Sequence, residues 1–552
     1  MKFRFSFLIV ALFFIVGFSS KNNETNNSSN FNPPNGKYRG AELITTAQLR
    51  DYLTFIAADE LEGRDTPSRG LNTAAKFLAT NLSRWGVKPA GDDGTYFQRF
   101  ALSKTTVDSA QTFAEINGQR FKYGSDFIAS TFSGAGTASG PLVYVGHGLV
   151  IKAKNLNAFE GLEVKDKIVV WTSDFPKGVT FADLTGKLGE DWQNAANYAA
   201  RHGAKGGIVI PPYSSLISWE QTKKFQTING ALAVEKFQTE DAPKIPIIVA
   251  SPRLAGALMQ GEKNNAVKVF TSAVTGEPVA AFVFTAEKKV TLSIYAKKEQ
   301  VYTQNVVGVV EGSDAGLRQE YVAIGAHYDH VGVGNPVNGD AIFNGADDDG
   351  SGTVSVLAMA EAFAKGPRPK RSLLLVWHAA EEKGLWGSQY FTQYPTVPID
   401  KIITQLNIDM IGRAQKPGET NPANPGLAKP NEVFVVGSKM MSTELGNLSE
   451  SVNKSYYNLS FNYKYDDPKD PEKIFFRSDH FNYAQKGIPI IFYTDGDHED
   501  YHKVTDHTEK IDFENMLKIT RTIYAMAWEL GNGKRPVVDK KLSPEQMKGL
   551  GF

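Results

Sequence analysis

The stretch from Tyr321 to Met410 constrains the fold of this chain more than any other part of the sequence. Short apolar segments typical of buried strands (YVAIGAH, SLLLVWHA, ITQLNIDM) alternate there with segments that have helical spacing (GTVSVLAMAEAFAK, GLWGSQYFTQY). Strands that alternate with helices predict a mainly parallel sheet covered on both faces. The predicted fold class is therefore α/β, with a mixed, mainly parallel sheet between layers of helices.

The length of the chain predicts more than one domain, because 552 residues exceed an ordinary single core. The run SGAGTASG indicates a boundary, and the Val/Ile-rich strands that follow it alternate with helix in a smaller α/β unit. We predict a main domain in two parts, 39–137 and 291–534, with an inserted domain at 138–290 and a polar tail at 535–552.

The first residues have the form of an export signal. A basic start precedes an apolar run from Phe5 to Phe18, and small residues follow up to residue 20. The alternative is a short membrane anchor, although the run is short for a membrane span. Residues 21–38 are polar and low in complexity, which predicts a disordered tether. We expect export to the periplasm or the exterior, and no membrane span beyond this possible N-terminal anchor.

Composition excludes several classes of function. Lysine plus arginine and aspartate plus glutamate number 60 each, so nothing indicates a nucleic-acid partner. The chain has no cysteine, which excludes disulfides, thiolate metal ligands and a thiol nucleophile. Any metal must be held by histidine, aspartate and glutamate, a ligand set that suits zinc, manganese or cobalt.

Acidic and histidine residues cluster where predicted strands end. Seven of the nine histidines lie between His327 and His507. His327 and Asp329, the pair Glu381–Glu382, and Asp409 each follow a predicted strand, and sites in open α/β sheets form at the carboxyl ends of strands. These clusters predict a two-metal hydrolytic site.

The acidic runs carry the chemistry of that site. Asp347, Asp348 and Asp349 exceed what a helix cap needs, and such packed like charges repel unless a cation offsets them. In the pair Glu381–Glu382, one carboxylate can bind metal while its neighbour takes a proton from activated water. A solvated acidic pair is the alternative interpretation.

These motifs resemble those of a known family. HYDHVG, GADDDGSGT, AEEKGLWGS and LNIDM, with the later block RSDHFNYAQKGIPIIFYTDGDHEDYH, are similar to the co-catalytic di-zinc exopeptidases of peptidase family M28, the family of bacterial leucyl aminopeptidases and glutamate carboxypeptidase II. The segment from about Pro141 to Phe284 resembles a protease-associated (PA) domain inserted into the catalytic domain.

The resemblance implies a role for each site residue. His327 and Asp409 would hold one zinc ion, Glu382 and His502 the other, and Asp348 would bridge them. Glu381 would be the general base, Asp329 would orient His327, and Tyr501 would steady the oxyanion. Manganese or cobalt would be substitutes for the two Zn²⁺ ions.

The remaining histidines carry weaker expectations. His498 is the alternative to His502 as a ligand, and His480 is expected either in the substrate pocket or in the core. His330 and His378 are expected to be structural, as are the isolated His147 and His202, and His507 receives no role.

The resemblance implies an exported exopeptidase acting on peptide substrates, and an aminopeptidase is the leading expectation. The alternatives are a glutamate-carboxypeptidase-like enzyme, a glutaminyl cyclase with one zinc, or a catalytically silent receptor-like module. The preferred terminal residue and the oligomeric state are left open.

Overall fold

The structure is a computed structural model, and it describes residues 38–543 apart from 213–218, 226, 239–243, 276–278, 285–287 and 417. The predicted signal segment, the tether up to residue 37 and the end of the predicted tail lie outside the described residues. Within the described part of the chain, no helix combines the length and the apolar character that a membrane crossing requires.

A ten-stranded mixed sheet forms the centre of the main unit. In chain order its strands are β1 (Lys88–Pro89), β2 (Phe97–Val107), β3 (Leu232–Val234), β4 (Ala296–Val310), β5 (Tyr321–His327), β6 (Ser372–His378), β7 (Ile402–Ile408), β8 (Glu432–Val436), β9 (Ser460–Asn462) and β10 (Ile490–Thr494). Their spatial order is β3-β2-β4-β6-β5-β7-β10-β8-β9, and β1 pairs with β4.

The four middle strands β6, β5, β7 and β10 run parallel to one another. Antiparallel pairs flank them, β4 with β6 on one side and β8 with β10 on the other. The α/β class with a mixed sheet is confirmed, and the parallel part is the segment that the opening stretch predicted. Because parallel strands share one carboxyl edge, the residues that follow them are brought together.

Helices cover both faces of the sheet. They are α1 (Thr46–Ile56), α2 (Arg69–Arg84), α3 (Gly352–Lys365), α4 (Trp386–Gln393), α5 (Ser438–Met441), α6 (Thr443–Lys454), α7 (His480–Gln485) and α8 (Phe513–Asn532). Leu373, Leu375 and Trp377 of β6 pack in the core beside α3 and α8, whereas Leu374 and Val376 pack in the core on the opposite face. Successive strand residues point to opposite faces, so the continuous apolar run of β6 serves both cores.

The inserted unit has sheets and cores of its own. Its six-stranded sheet has the order Phe282–Val283, Leu142–Tyr144, Ile168–Thr172, Gly206–Ile210, Ile247–Ala250, Phe127–Ala129. Its four-stranded sheet has the order Gln119–Lys122, Phe113–Ile116, Val290–Ile294, Gly136–Gly140, and its helices are Ala195–Arg201, Trp219–Phe225, Pro252–Met259 and Ala266–Thr275. Its likeness to a PA domain stays a prediction.

The boundary of this unit differs from the predicted residue 138. Phe113–Ile116 pairs with Val290–Ile294, and Phe127–Ala129 pairs with Ile247–Ala250, so strands before residue 138 belong to the sheets of the inserted unit. Glycine and serine in SGAGTASG indicated a linker, but Gly136–Gly140 is an edge strand of the four-stranded sheet. Long-range strand pairing, which composition does not reveal, decides the boundary.

One strand of the inserted stretch returns to the main sheet. β3 pairs with β2, and Val234 of β3 packs with Phe100 and with Tyr390 of α4. Lys236 lies 4.2 Å above the ring of Tyr394 at the end of the same helix. The inserted stretch therefore supports α4, the helix that follows Glu381 and Glu382.

The apolar run of β6 generates a stability prediction. Leu375→Ala removes a side chain that is 0% exposed, and we expect it to lower the free energy of unfolding by about 2–5 kcal/mol, since the lost burial leaves a cavity. Calorimetry should show a lower Tm for the main unit. Leu188→Ala, at a side chain that is 42% exposed, is the matched control, and an equal effect there would contradict the prediction.

Candidate metal centre

The candidate residues meet at the carboxyl edge of the four parallel strands. His327 is the last residue of β5, Asp409 directly follows β7, and Glu381 and Glu382 follow β6 across a short turn. His502 lies in the loop between β10 and α8. Residues far apart in sequence are neighbours here because their strands end at the same edge.

Asp348 lies between two groups of side chains. Its Oδ1 atom is 3.2 Å from Nε2 of His327, and that nitrogen is 3.5 Å from Oδ1 of Asp409. Its Oδ2 atom is 3.1 Å from Nε2 of His502, which is also 3.1 Å from Oε2 of Glu382. One carboxylate therefore faces both groups, which is the arrangement that a bridging ligand requires.

Side-chain donors of each group lie close enough together to hold one cation. His330, Asp348, Glu382 and His502 have donor atoms within 4.8 Å of one another, and so do His327, Asp349 and Asp409. The Oδ2 atoms of Asp348 and Asp349 are buried without a hydrogen-bond partner among the described residues, although His502 lies close to Asp348. Donors that lie close without hydrogen-bond geometry suit a common ion, so these residues fit a metal pair.

The two neighbours of Asp348 have different partners. Oδ1 of Asp349 accepts hydrogen bonds from the backbone N–H groups of Gly352 and Met410. Oδ1 of Asp347 accepts from the N–H of Gly412. Both residues therefore link the turn that carries Asp348 to the loop after β7. Asp349 also belongs to the group of donors around His327.

His330 lies closer to the candidate ligands than the sequence indicated. The expectation was a structural role, yet its Nδ1 atom is 2.8 Å from Oε1 of Glu382 and 3.7 Å from Oδ2 of Asp348. His498, the alternative ligand, has its Nε2 atom 3.1 Å from Oδ2 of Asp347 and belongs to neither group.

The contacts of Asp329 differ from the role that the resemblance implies, which is to orient His327 through its carboxylate. Nδ1 of His327 lies 3.1 Å from the backbone carbonyl oxygen of Asp329, whereas the carboxylate is 3.8 Å away. A proton on Nδ1 donated to that carbonyl leaves the Nε2 lone pair facing Asp348 and Asp409. The Asp329 carboxylate instead accepts from the N–H of Glu381 and the hydroxyl of Thr66, so it fixes the turn that carries Glu381.

Burial and charge shift the pKa values in opposite directions within the site. Burial raises the pKa of Glu381 well above its usual range and raises the pKa of Asp329 to about 7. Burial also opposes the charged forms of Asp348 and His502, but it is outweighed by nearby opposite charges. His330, His327 and His502 lower the pKa of Asp348, and Asp348 with Glu382 raises the pKa of His502. The pKa of Asp348 lies well below its usual value, and that of His502 is raised to about 10. Negative charge therefore dominates the site, and cations are favoured there.

A cavity opens beside the two groups. His327, Asp348, Glu381 and Asp409 line its polar side, and its other walls include Met410, Tyr465, Ile474, Phe492, Arg477 and Tyr501. The ring of Tyr501 stacks on His502 with 4.0 Å between centroids. Burial, together with the nearby Asp348 and Glu382, raises the pKa of Tyr501, so its phenol keeps the proton that it would donate.

Two other histidines are structural by their contacts. His480 hydrogen-bonds through Nε2 to the carbonyl of Phe475 and stacks on Phe492, and burial lowers its pKa to about 3. His378 lies with Nδ1 3.2 Å from Asp479 and Nε2 3.1 Å from the hydroxyl of Tyr483. Neither lines the cavity, so the packed interpretation holds for both.

Sequence reasoning missed two hydroxyl residues. Ser478 donates to Oδ2 of Asp409 at 2.6 Å, which leaves Oδ1 directed towards His327. Its place in the motif RSDH was an available signal. Thr66 joins Asp329 to the N–H of Ala380 from far back in the chain, and no local pattern marks it.

The main unit is thus a mixed α/β sheet with two groups of candidate metal ligands at its carboxyl edge. Residues 305–527 match the model of peptidase family M28. The part of the chain that holds most of the site is therefore a peptidase family M28 domain.

Comparison with other proteins agrees with that assignment. A probable leucine aminopeptidase of Arthroderma benhamiae is 27% identical over 225 residues, which are 39% of this chain and 55% of that protein. Leucine aminopeptidase 2 of Arthroderma otae is 29% identical over 179 residues, 32% of this chain and 34% of the relative. The chain thus spans about half the length, or less, of these relatives.

Two solved structures share the fold over nearly the whole chain. An aminopeptidase from Aneurinibacillus sp. strain AM-1 superposes with a TM-score of 0.54 at 16% identity, covering 92% of this chain and 98% of the other. BSAP, a zinc aminopeptidase from Bacillus subtilis, gives a TM-score of 0.50 at 17% identity, covering 90% and 99%.

The position of Asp348 yields a prediction about metal content. Asp348→Ala removes the carboxylate shared by both groups, so bound zinc should fall to nearly none, whereas Glu382→Ala removes a donor of one group only and should lower it by about half. Elemental analysis of the purified proteins measures this. Asp126→Ala, at a buried aspartate paired with Arg253 in the inserted unit, is the control. Full metal content in Asp348→Ala would refute the bridging assignment.

Proposed function

We propose that this protein is a two-zinc aminopeptidase, in which His327 and Asp409 would hold one ion, Glu382 and His502 would hold the other, and Asp348 would be a ligand shared by both. The observation that carries the proposal is the position of Asp348, with one oxygen facing each group. The match to peptidase family M28 and the similarity to leucine and zinc aminopeptidases support peptide hydrolysis. Bound zinc ions would polarise the peptide carbonyl and make water nucleophilic at neutral pH.

Glu381 is the general base of the proposed reaction. Its Oε2 atom is 4.0 Å from Nε2 of His327, it lines the cavity, and it takes no ligand position. Its raised pKa makes it a better proton acceptor than an ordinary carboxylate. Glu381 takes a proton from the attacking water and delivers it to the leaving amine as the peptide bond breaks. Its backbone N–H, held by Asp329, keeps the side chain at the cavity.

Tyr501 and the cavity walls serve the substrate. The protonated phenol of Tyr501 donates a hydrogen bond to the oxygen on which negative charge develops. Met410, Ile474 and Phe492 offer an apolar wall, which favours an apolar side chain at the terminal residue.

A carboxypeptidase is the second candidate, because Arg477 lines the same cavity and a guanidinium is a suitable partner for a terminal carboxylate. Asp497 lies 3.3 Å from Arg477 and neutralises part of its charge, while it also offers a carboxylate to a substrate amine. Because Arg477 is already paired with Asp497, the cavity supports an aminopeptidase better than a carboxypeptidase.

A substrate panel tests the proposed activity. Leucyl and alanyl p-nitroanilides should be cleaved, their N-acetyl counterparts should not, and peptides with an amidated C-terminus should still lose N-terminal residues. A chelator should abolish cleavage, and zinc should restore it. Cleavage that depends on a free C-terminal carboxylate would favour the carboxypeptidase, and bound zinc near one ion per chain would favour a cyclase.

Glu381→Gln separates the base from the metal ligands. We expect kcat to fall by about 10²–10⁴-fold while both metals stay bound, because the amide cannot accept the proton. Turnover assays with metal analysis on the same sample measure both. Glu311→Gln, at an exposed ion pair with Lys88, is the control. A Glu381→Gln variant of full activity would remove Glu381 from the mechanism.

A further inference from the structure

Arg64 lies fully buried, at 0% exposure, at the end of the turn Asp59–Arg64 that follows α1. A guanidinium keeps its proton in proteins, so a positive charge is enclosed here. Burying a charge is unfavourable unless hydrogen bonds and neighbouring charges compensate it. The partners of Arg64 therefore indicate what this residue does.

The guanidinium of Arg64 donates to the backbone of both ligand-bearing segments. Nε donates to the carbonyl of Tyr328 at 2.9 Å, directly after His327. Nη1 donates to Asn344 at 2.6 Å and Nη2 to Gly345 at 3.0 Å, directly before the turn with Asp348. A second bond from Nη1, to Ile56 at 2.6 Å, ties both segments to the end of α1.

Backbone hydrogen bonds beside Arg64 add to these links. The carbonyl of Arg64 accepts from the N–H of His330 at 3.3 Å, and the carbonyl of Gly63 accepts from Gly332 at 3.1 Å. Gly63 has φ +64°, and a Cβ there would lie 2.5 Å from the carbonyl oxygens of Gly332 and Phe343. Only glycine fits this close approach.

The charge of Arg64 acts on the same residues. Burial lowers the pKa of Arg64, and the field of Asp348, Asp329 and Asp349 opposes that shift. The guanidinium thus stabilises these carboxylates through space while its bonds go to carbonyls, so the carboxylate oxygens can still face metal. A lysine ammonium carries its donors on one nitrogen, so it cannot reproduce the fork in which three guanidinium nitrogens reach four separate carbonyls.

We propose that Arg64 is a positioning residue of the metal centre, which sets the separation of His327 from Asp348 by bridging the two segments that carry them. This inference rests on the proposed function. Arg64 touches neither ligand side chain, so it acts through the backbone, and its loss should change metal affinity more than substrate affinity.

The test compares Arg64→Lys with Arg521→Lys. Arg521 of α8 is 5% exposed and donates twice to the carbonyl of Ile44, at 3.0 and 2.6 Å, so it is also a buried arginine bound to backbone, but that carbonyl lies outside both ligand-bearing segments. Zinc affinity is measured by competition with a chromophoric chelator, and Tm is measured with and without zinc. Steady-state assays give kcat and KM.

We expect Arg64→Lys to bind at least one zinc ion about 10–100-fold more weakly, as loss of supporting contacts around metal ligands generally does. Its Tm should rise less on zinc addition than that of the wild type, because stabilisation by a ligand follows its affinity. Its kcat should fall with KM nearly unchanged. Arg521→Lys should lower Tm equally with and without zinc and keep the wild-type affinity.

Wild-type zinc affinity and kcat in Arg64→Lys would overturn the inference, as would an equal loss of affinity in Arg521→Lys. Failure of Arg64→Lys to fold in saturating zinc would also overturn it, since Arg64 would then serve the fold as a whole. As a second variant, Arg64→Ala should regain zinc affinity with methylguanidinium but not with methylammonium. A wild-type protein that binds zinc and cleaves no peptide would reject the proposed function alone.

Discussion

The repulsion among buried carboxylates at the edge of the main sheet is the constraint on which the surrounding structure depends. Asp348, Asp349, Glu381, Glu382 and Asp409 converge in a region that excludes most water. Like charges at such distances destabilise one another strongly in a poorly solvated site. The fold must therefore supply compensation from fixed groups and from bound cations.

Fixed compensation comes from backbone amides and from Arg64. Asp347 and Asp349 accept N–H groups of the loop after β7, and Oδ2 of Asp506 accepts those of Asp347 and Asp348. Arg64 adds a permanent positive charge behind the ligands. What these groups leave uncompensated is the negative charge directed at the space between the histidines, where a metal pair would lie. The same hydrogen bonds that keep the carboxylates apart also orient them towards this space.

The inserted unit is linked to this centre through α4. Its strand β3 joins the main sheet at the edge and packs Val234 against Tyr390, while the turn after β6 that leads to α4 carries Glu381 and Glu382. The cores of that unit are otherwise its own, formed by its own strands and helices. Packing against α4 therefore links the inserted unit to the helix that follows the turn with Glu381 and Glu382.

The sequence by itself determined the α/β class, because uninterrupted apolar runs such as SLLLVWHA suit only strands buried on both faces. It also determined that His327, Asp409 and the glutamate pair follow strands, and strand ends in a parallel sheet meet at one edge. Both inferences depend only on the order of residues within short segments, so the sequence alone was sufficient for them.

Tertiary structure decided what depends on contacts between distant segments. It directs the Asp329 carboxylate to Glu381 instead of His327, places His330 beside Glu382, and moves the start of the inserted unit to strands before residue 138. It also brings Arg64 and Thr66 to the site from more than 250 residues earlier in the chain. Hydrogen bonds and strand pairs between such segments depend on how the whole chain packs. The types and spacing of residues in one segment do not specify that packing.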